Sequence, residues 1–373
     1  LDLRAGHRRR VVDPGERAAR VACGRGHEAV FVEHRTKAVQ TVLGSLTIRR
    51  AYYHCGSCRD GVIPRDAELD IVGTSFSPGV RRLMSRLGGK EAFDEAREDL
   101  EALAGIVVQT KQVERVSEAI GEQIEAIHRK ERKAALAGKV VLLHSVPKMY
   151  VAIDGTGVPM VPRETRDRPG KDGPAKTREV KLGCVFTQTG LDEKGRPARD
   201  QGSTTYVGAI ETSEEFGGRI FAEAIRRGIR RADRTIVLGD GAVWIWNLAD
   251  EHFPGAIQIV DLYHAREHLN ELAKVLYGPG TPKASTWADL RIVELDEGDV
   301  EKVISSMNRL RPTTTAQQDE LRRSVAYFQT NAHRMRYADF RQQGLFVGSG
   351  VIEAGCNTIA GRRLKQSGMR WTV

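Results

Sequence analysis

The spacing of apolar residues changes character three times along the chain, and each change predicts a different kind of structure. Between residues 22 and 58, Ala29–Val32, Ala38–Leu43 and Leu46–Tyr53 are β-branched and aromatic runs, with Gly44 marking a turn between the second and third. From Pro78 to about Lys133 the period becomes helical. Val80, Leu83 and Leu87 form one apolar stripe, and Phe93, Ala96, Leu100 and Leu103 form another. Ala104–Val108 then breaks the pattern, and Thr110 is the expected N-cap of a long helix through Val113, Val116, Ile120 and Ile124.

After Pro147 short strands alternate with helices. Met149–Ile153 is an apolar strand, Gly157–Val161 its expected return strand, and Leu182–Thr187 a third, reached through a basic loop at Arg163–Lys181. Thr212 or Ser213 can cap a helix running to about Arg230. Thr235–Leu238, Val243–Asp250, Ala256–Val260 and Tyr263–Leu276 then read as strand, helix, strand and helix. Residues 278–345 lack strand periodicity. They predict helices at Val300–Leu310, Gln317–Phe328 and Arg334–Arg341, and a last helix begins near Ser349 and passes through Ile352, Ile359 and Leu364.

Three strands followed by helix, strand, helix and strand is the order of a ribonuclease H-like α/β core. The expected organisation is a zinc-ribbon-like β unit at 1–72 and a helical DNA-binding region at 73–146. The core at 147–277 follows, then an all-α insertion at 278–345 and a core helix at 346–373.

The bulk numbers narrow the class. A net charge of +9 favours a polyanionic partner, because Lys and Arg release counterions condensed on nucleic acid. No stretch approaches the ~20 uninterrupted apolar residues of a membrane helix, and the first ten residues carry four arginines in place of an apolar leader. Five unevenly spaced cysteines do not form a disulfide framework, so a reducing cytoplasm is expected. The chain starts at Leu1 and stops at Trp371-Thr372-Val373 directly after a helical pattern, which suggests a fragment or an interrupted reading frame.

Three groups of residues carry chemistry. Cys55-Gly-Ser-Cys58 is a C-x-x-C knuckle at a strand end, and the hairpin brings Cys23 and His27 back toward it; His54 is an alternative to His27. Thiolate and imidazole suit a structural Zn²⁺ that would support a domain too small to bury much core. In the helical region Lys111, Gln112 and Arg115 open the second helix of a helix-turn-helix candidate, although Glu114, Glu118 and Glu122 oppose a DNA contact.

The third group is acidic. Asp154 ends an apolar strand in MYVAIDGTG, Asp240 ends another in TIVLGDGA, and Glu353 lies on the last helix in GSGVIEAG. Carboxylates at the ends of neighbouring strands converge and hold hard divalent cations, and two metals ~4 Å apart activate and stabilise the two oxygens of a phosphodiester displacement. Asp261 after the fifth strand is the rival to Asp240. His264, in DLYHAREHL, either touches DNA or orients a core carboxylate; Ala265 stands where a zincin needs glutamate. Arg362, Arg363 and Lys365 follow Glu353 and can grip phosphates, while Trp244 and Trp246 suit core packing better than base stacking.

The ordered set AYYHCGSCRDGVIPRD, AIDGTGVPM, STTYVGAIE, VLGDGAVWIWNLA, IVDLYHAREHL and NAHRMRYADFRQQGLFVGSGVIEAGCNTIAGRRLKQSGMRW spans nearly the whole chain. It resembles the ISKra-type insertion-sequence transposases, within the wider group of DDE elements that includes Mutator-like enzymes. The resemblance implies that Asp154, Asp240 and Glu353 are the DDE trio and Asp261-x-x-His264 the D-x-x-H signature. It also implies Mg²⁺- or Mn²⁺-dependent cleavage at terminal inverted repeats and strand transfer into target DNA. A bacterial, nucleoid-associated homo-oligomer is the expected form. Cys23/His27 departs from the C-x-x-C of that family, and its members continue past SGMRW. Two other readings remain open: a non-catalytic DNA-binding protein, and a structure-specific nuclease on the same core.

Overall fold

The structure is a computed structural model of the chain that describes residues 18–140, 145–170, 173–366 and 369–372. The arginine-rich start of the chain lies outside the described residues. Two compact units form, Leu1–Ile127 and His128–Val373. Among the described residues no helix is long and apolar enough to cross a membrane.

The first unit opens with an antiparallel sheet of four strands in sequential order, β1 (Arg20–Ala22), β2 (Glu28–Thr41), β3 (Gly44–Cys55) and β4 (Asp60–Val62). The two runs expected on either side of residue 35 are one continuous strand, β2, with a bulge between Phe31 and Glu33. Behind it the short helix α1 (Pro64–Glu68) sends Asp66 onto Arg50 of β3 at 2.5 Å, with Lys37 at 3.5 Å from the same carboxylate. Charges this far from water persist only when paired.

Helices α2 (Pro78–Gly88), α3 (Phe93–Ala104) and α4 (Thr110–Leu136) follow. Val80, Met84, Ala96, Leu100, Ile106 and Val113 close a small core between them, on the faces that the 3.6-residue period assigns. Thr110 is not the N-cap of α4. Gln109 takes that position, its carbonyl accepting from Val113 N–H and its own N–H donating to Gln112 Oε1 at 2.9 Å. The Thr110 hydroxyl is drawn instead to Asp94 on α3, at 2.7 Å.

The second unit is a mixed α/β domain. Its strands are β5 (Val146–Pro159), the two-residue pairs β6 (Pro169–Gly170) with β7 (Gly173–Pro174) and β9 (Gly190–Leu191) with β10 (Pro197–Ala198), and the longer β8 (Thr177–Gln188), β11 (Thr205–Ala209), β12 (Ala232–Gly239) and β13 (Ile257–Val260). The main sheet has the order β11-β8-β5-β12-β13. β8 runs antiparallel to both neighbours, while β5, β12 and β13 are mutually parallel.

Two expectations are corrected here. Gly157–Val161 is not a return strand: β5 passes straight through Asp154 to Pro159, paired with β8 along its length. The strand on the far side of β8 is instead β11, supplied by Thr205–Ala209 at one edge of the sheet.

Helices α5 (Ser213–Arg226), α6 (Val243–His252) and α7 (Leu262–Tyr277) pack around the sheet. Thr212 caps α5 in a reciprocal box with Glu215. The helical segment after α7 holds α8 (Pro282–Asp296), which the periodicity did not reveal, then α9 (Val300–Asn308), α10 (Thr315–Asn331) and α11 (Tyr337–Gln342). Phe328, Tyr337 and Phe340 join these helices to the same core as Tyr150, Phe186 and Leu269. The chain ends the described fold with α12 (Gly350–Gly355), a π-helical turn at Cys356–Gly361 and α13 (Arg362–Leu364). Trp246 is buried in the core and Trp244 packs partly against it.

Candidate functional site

The parallel register assembles the acidic residues. Leu238 pairs with Ala152 and Gly239 with Val260, so one further step along β12 sets Asp240 between Asp154 on β5 and Asp261 after β13. The sheet ladder continues to that point, with Asp261 N–H donating to Gly239 O at 2.7 Å. Three aspartates therefore stand in a row at one end of the parallel strands. Asp154 lies inside β5 rather than at its end, at the place where the pairing with β12 stops.

α12 crosses this row. Ser349, its N-cap residue, donates its backbone N–H to Asp261 Oδ2. Glu353 presents a carboxylate oxygen within 4.8 Å of ligand atoms of both Asp261 and His264. At the far side Cys356 Sγ donates to Asp154 Oδ2 at 3.2 Å. The helix is held by Tyr206, whose hydroxyl donates to Val351 O at 3.0 Å. One short segment thus touches both ends of the acidic row.

The three aspartates are not equivalent. Asp154 accepts Gly155 N–H at 2.7 Å, and Asp240 accepts Ala242 N–H at 2.8 Å, each through Oδ1. Burial pushes the Asp240 carboxyl above the usual carboxylate range; the Asp154 charge adds to this, while Ala242 N–H opposes it. Asp261 is fully buried, yet its carboxyl is held below that range, because hydrogen bonds from His264 and Ser349 outweigh the burial. Its Oδ1 caps α7 through His264 N–H at 2.9 Å, and its Oδ2 holds Ser349. Asp261 is thus both a cap and a clamp, and with His264 and Glu353 it also forms a group whose ligand atoms lie within 4.8 Å of one another and could hold a metal ion.

His264 stands over the row with Nδ1 at 3.4 Å from Asp261 Oδ1, a contact too poorly aligned to serve as a hydrogen bond. The neighbouring Asp261 favours the protonated form of the ring, with Asp240 and Asp154 adding to its effect. His268, one turn on, stacks on Tyr327 at 3.9 Å between ring centroids, and Tyr327 donates its hydroxyl to the Asp240 carbonyl at 2.9 Å. No motif in the sequence points to Tyr327. Cys356 was accessible in principle, since it lies one helical turn after Glu353 and faces the same way.

The basic candidates divide. Arg362 is exposed, Lys365 Nζ donates to Thr156 on β5, and Arg363 stacks on Trp371 at 4.6 Å. In the first unit Lys111 is exposed and pairs with Glu114 at 2.5 Å, and Arg115 is exposed.

The cysteine group forms a second centre. Cys23, His27, Cys55 and Cys58 have ligand atoms all within 4.8 Å of one another and could hold a metal ion. His54 is outside this group. Cys23 Sγ lies 3.7 Å from Cys58 Sγ, and His27 Nδ1 lies 3.2 Å from Cys58 Sγ. A tetrahedral ion with bonds of ~2.3 Å to sulfur spaces its sulfurs ~3.8 Å apart, so the pocket has the dimensions of a Cys₃His zinc site. The knuckle is closed by Cys58 N–H on Cys55 Sγ at 3.4 Å. The Arg25 backbone amide lowers the Cys23 thiol to about 7, whereas desolvation and the adjoining thiols push Cys58 up to about 11.

Comparison with known proteins places the chain at family level. Residues 22–372 match the family described as Uncharacterised protein family (UPF0236). The chain belongs to that family. No curated protein matches it. Among solved structures it is similar to the Drosophila P element transposase strand transfer complex, at 9% identity and a TM-score of 0.28, over 76% of this chain and 62% of that one. It is also similar to NurA bound to dAMP and manganese, at 12% identity and a TM-score of 0.10, over 72% of this chain and 53% of that one. The chain therefore spans less than two thirds of the length of either, and likeness at this level carries no argument about this UPF0236 member.

Proposed function

We propose that the chain is a DDE-type DNA transposase of the ISKra-type group, with a ribonuclease H-like core whose acidic trio is Asp154, Asp240 and Glu353. The observation that supports this reading is the row of aspartates at one end of the parallel strands, crossed by the helix that bears Glu353. The register of adjacent parallel strands brings Asp240 level with Asp154, and α12, from far along the chain, reaches Asp154 through Cys356 and sets Glu353 within 4.8 Å of Asp261 and His264. The sheet order, with its second strand antiparallel, agrees with that core.

The donor set fits a divalent cation. Hard carboxylate oxygens are gathered in a half-buried place where the Asp154 charge already disfavours ionisation of Asp240, which an added cation would relieve. Asp154, Asp240 and Glu353 would hold Mg²⁺ or Mn²⁺, which when bound supplies Lewis-acid polarisation of a phosphoryl oxygen. Gly155 and Ala242 N–H groups fix the orientation of the two aspartates. His264, when protonated, sets a positive charge beside the row, and Lys365 and Arg362 extend a basic edge toward which a DNA phosphate can be drawn. The Cys₃His centre is assigned to structural zinc, and the α2–α4 region, through Lys111 and Arg115, to DNA contact.

The test is strand transfer of a labelled element end into plasmid with Mg²⁺ or Mn²⁺. Asp154→Asn, Asp240→Asn and Glu353→Gln should each abolish cleavage while keeping end binding. Full activity in Asp240→Asn overturns the trio. Cleavage without joining assigns the core to a structure-specific nuclease, and end binding without any cleavage by the unmodified protein assigns it to a non-catalytic DNA-binding protein.

A further inference from the structure

Three basic residues among those described are more than nine-tenths buried: Arg50, Lys181 and Arg334. Two have a carboxylate partner, Asp66 at 2.5 Å from Arg50 and Glu179 at 2.7 Å from Lys181. Arg334 has none in ion-pair range among the described residues. Its Nε donates to Gln258 Oε1 at 2.7 Å, its Nη1 to Asn331 Oδ1 at 3.2 Å, and its guanidinium lies 4.6 Å over the Trp246 ring. These partners are neutral. A guanidinium has five N–H donors, so the two amide oxygens leave part of the group unused. Burying a charge without a counter-charge is costly, and the usual resolution is an ion from outside.

The fold leaves space for one. A polar cleft of about 500 Å³ opens beside Arg334, lined also by His333, Gln258, Asp250, Ile257 and Phe340. It lies toward the start of β13, whereas Asp261 and the acidic row lie at that strand's other end. The Asp250 carboxylate is engaged by Gln258 Nε2 at 2.6 Å and acts on Arg334 as a charge outside ion-pair range. His333 precedes Arg334 in the same 3₁₀ turn, Ala332–Arg334, and brings a second donor to the cleft.

We propose that this cleft is an oxyanion site, built on Arg334 with His333 at its edge, that takes a phosphate group. A planar guanidinium with spare N–H groups recognises the tetrahedral oxygens of phosphate in pairs. The site is independent of the acidic row and of the reaction proposed there.

The experiment is thermal unfolding of the full chain in potassium phosphate against potassium chloride at matched ionic strength, followed by calorimetric titration with inorganic phosphate. Phosphate should raise Tm beyond the chloride control. Arg334→Gln should weaken phosphate binding about tenfold or more, the worth of one charge-assisted hydrogen bond. His333→Gln, a change at the rim that leaves the core intact, should weaken it less. Asp250→Asn should tighten binding by removing a like charge.

The source of the phosphate is read from duplex DNA binding. A loss of affinity in Arg334→Gln, with a salt slope smaller by about one counterion, assigns it to the nucleic acid backbone. Unchanged duplex affinity together with lost phosphate binding assigns it to the free anion. The proposal is overturned if the unmodified chain shows no shift beyond chloride, or if the shift survives in Arg334→Gln. Should Arg334→Gln fail to fold by circular dichroism, an undiminished shift in His333→Gln overturns it equally.

Discussion

Replacing Asp261 with asparagine tests whether this residue is a clamp or a ligand. In the native protein both carboxylate oxygens accept backbone N–H groups, His264 at the start of α7 and Ser349 at the start of α12, in a fully buried position. Asparagine has the same shape but one acceptor oxygen. It can keep one of the two bonds in weaker, neutral form, and it turns an NH₂ group toward the other backbone amide. Hydrogen bonds to a charged group contribute ~1.5–3 kcal/mol and an orphaned buried donor costs ~1–3 kcal/mol, so the overlapping effects predict a loss of about 2–4 kcal/mol.

The sign with pH follows from the lowered carboxyl of Asp261. Its contribution is fully present above the unfolded aspartate value of about 4, and it is lost as pH falls through the lower folded value. Metal-free protein should therefore show the full deficit of Asp261→Asn in urea unfolding at pH 7, shrinking once the solution is acid enough to protonate Asp261 in the unmodified chain. Hydrogen exchange at Ser349 N–H should accelerate in the variant. A deficit under about 0.5 kcal/mol at pH 7, or Ser349 exchange equal to that of the unmodified chain, refutes the clamp. It would return Asp261 to candidacy as a metal ligand with His264 and Glu353.

Three further outcomes are expected. Protein reconstituted with zinc should hold one ion per chain by mass spectrometry, and Cys55→Ser should release it and lower the unfolding temperature of the first unit; no zinc retention in the unmodified chain would remove the assignment. Gly241→Ala should destabilise by about 2–5 kcal/mol in chemical denaturation, since its φ of 105° disfavours any Cβ, which would also strike the Tyr327 ring that supports Asp240. Asp66→Asn should cost about 3–5 kcal/mol because Arg50 is left buried without its counter-charge, and Arg50→Met paired with Asp66→Leu should recover much of that loss in the same assay.

The sequence was most legible where burial is complete. Met149–Ile153 and Thr235–Leu238 read as strands because their side chains are buried almost throughout, and Asp154 and Asp240 could be placed beside each other for that reason. It misled where glycine has two meanings. Gly155 and Gly157 look like a turn, yet both lie inside β5, and at Gly155 a side chain would collide with Glu179 on β8. Thr205–Ala209 escaped notice because an edge strand is only half-buried and this one contains Gly208. α8 escaped because its buried side includes Ala284, Ala288 and the ion-paired Glu294, which leave little apolar contrast.

At the site, the rivalry between Asp240 and Asp261 could not be decided from sequence. The Ser349 backbone amide that binds Asp261 is a group with no signature in the side-chain pattern. The buried Arg334 was likewise hidden, since burial of a charge depends on the fold and not on its neighbours in the chain.

The clamp also orders events in time. Ser349 is synthesised 88 residues after the aspartate it binds. At ~5–20 residues per second, the last of the three strand ends, that of β13, emerges about 4–18 s before the segment that bridges them. Through that interval a nascent chain carries its aspartates without the glutamate, and under the proposed reaction it is chemically silent while still tethered to the ribosome.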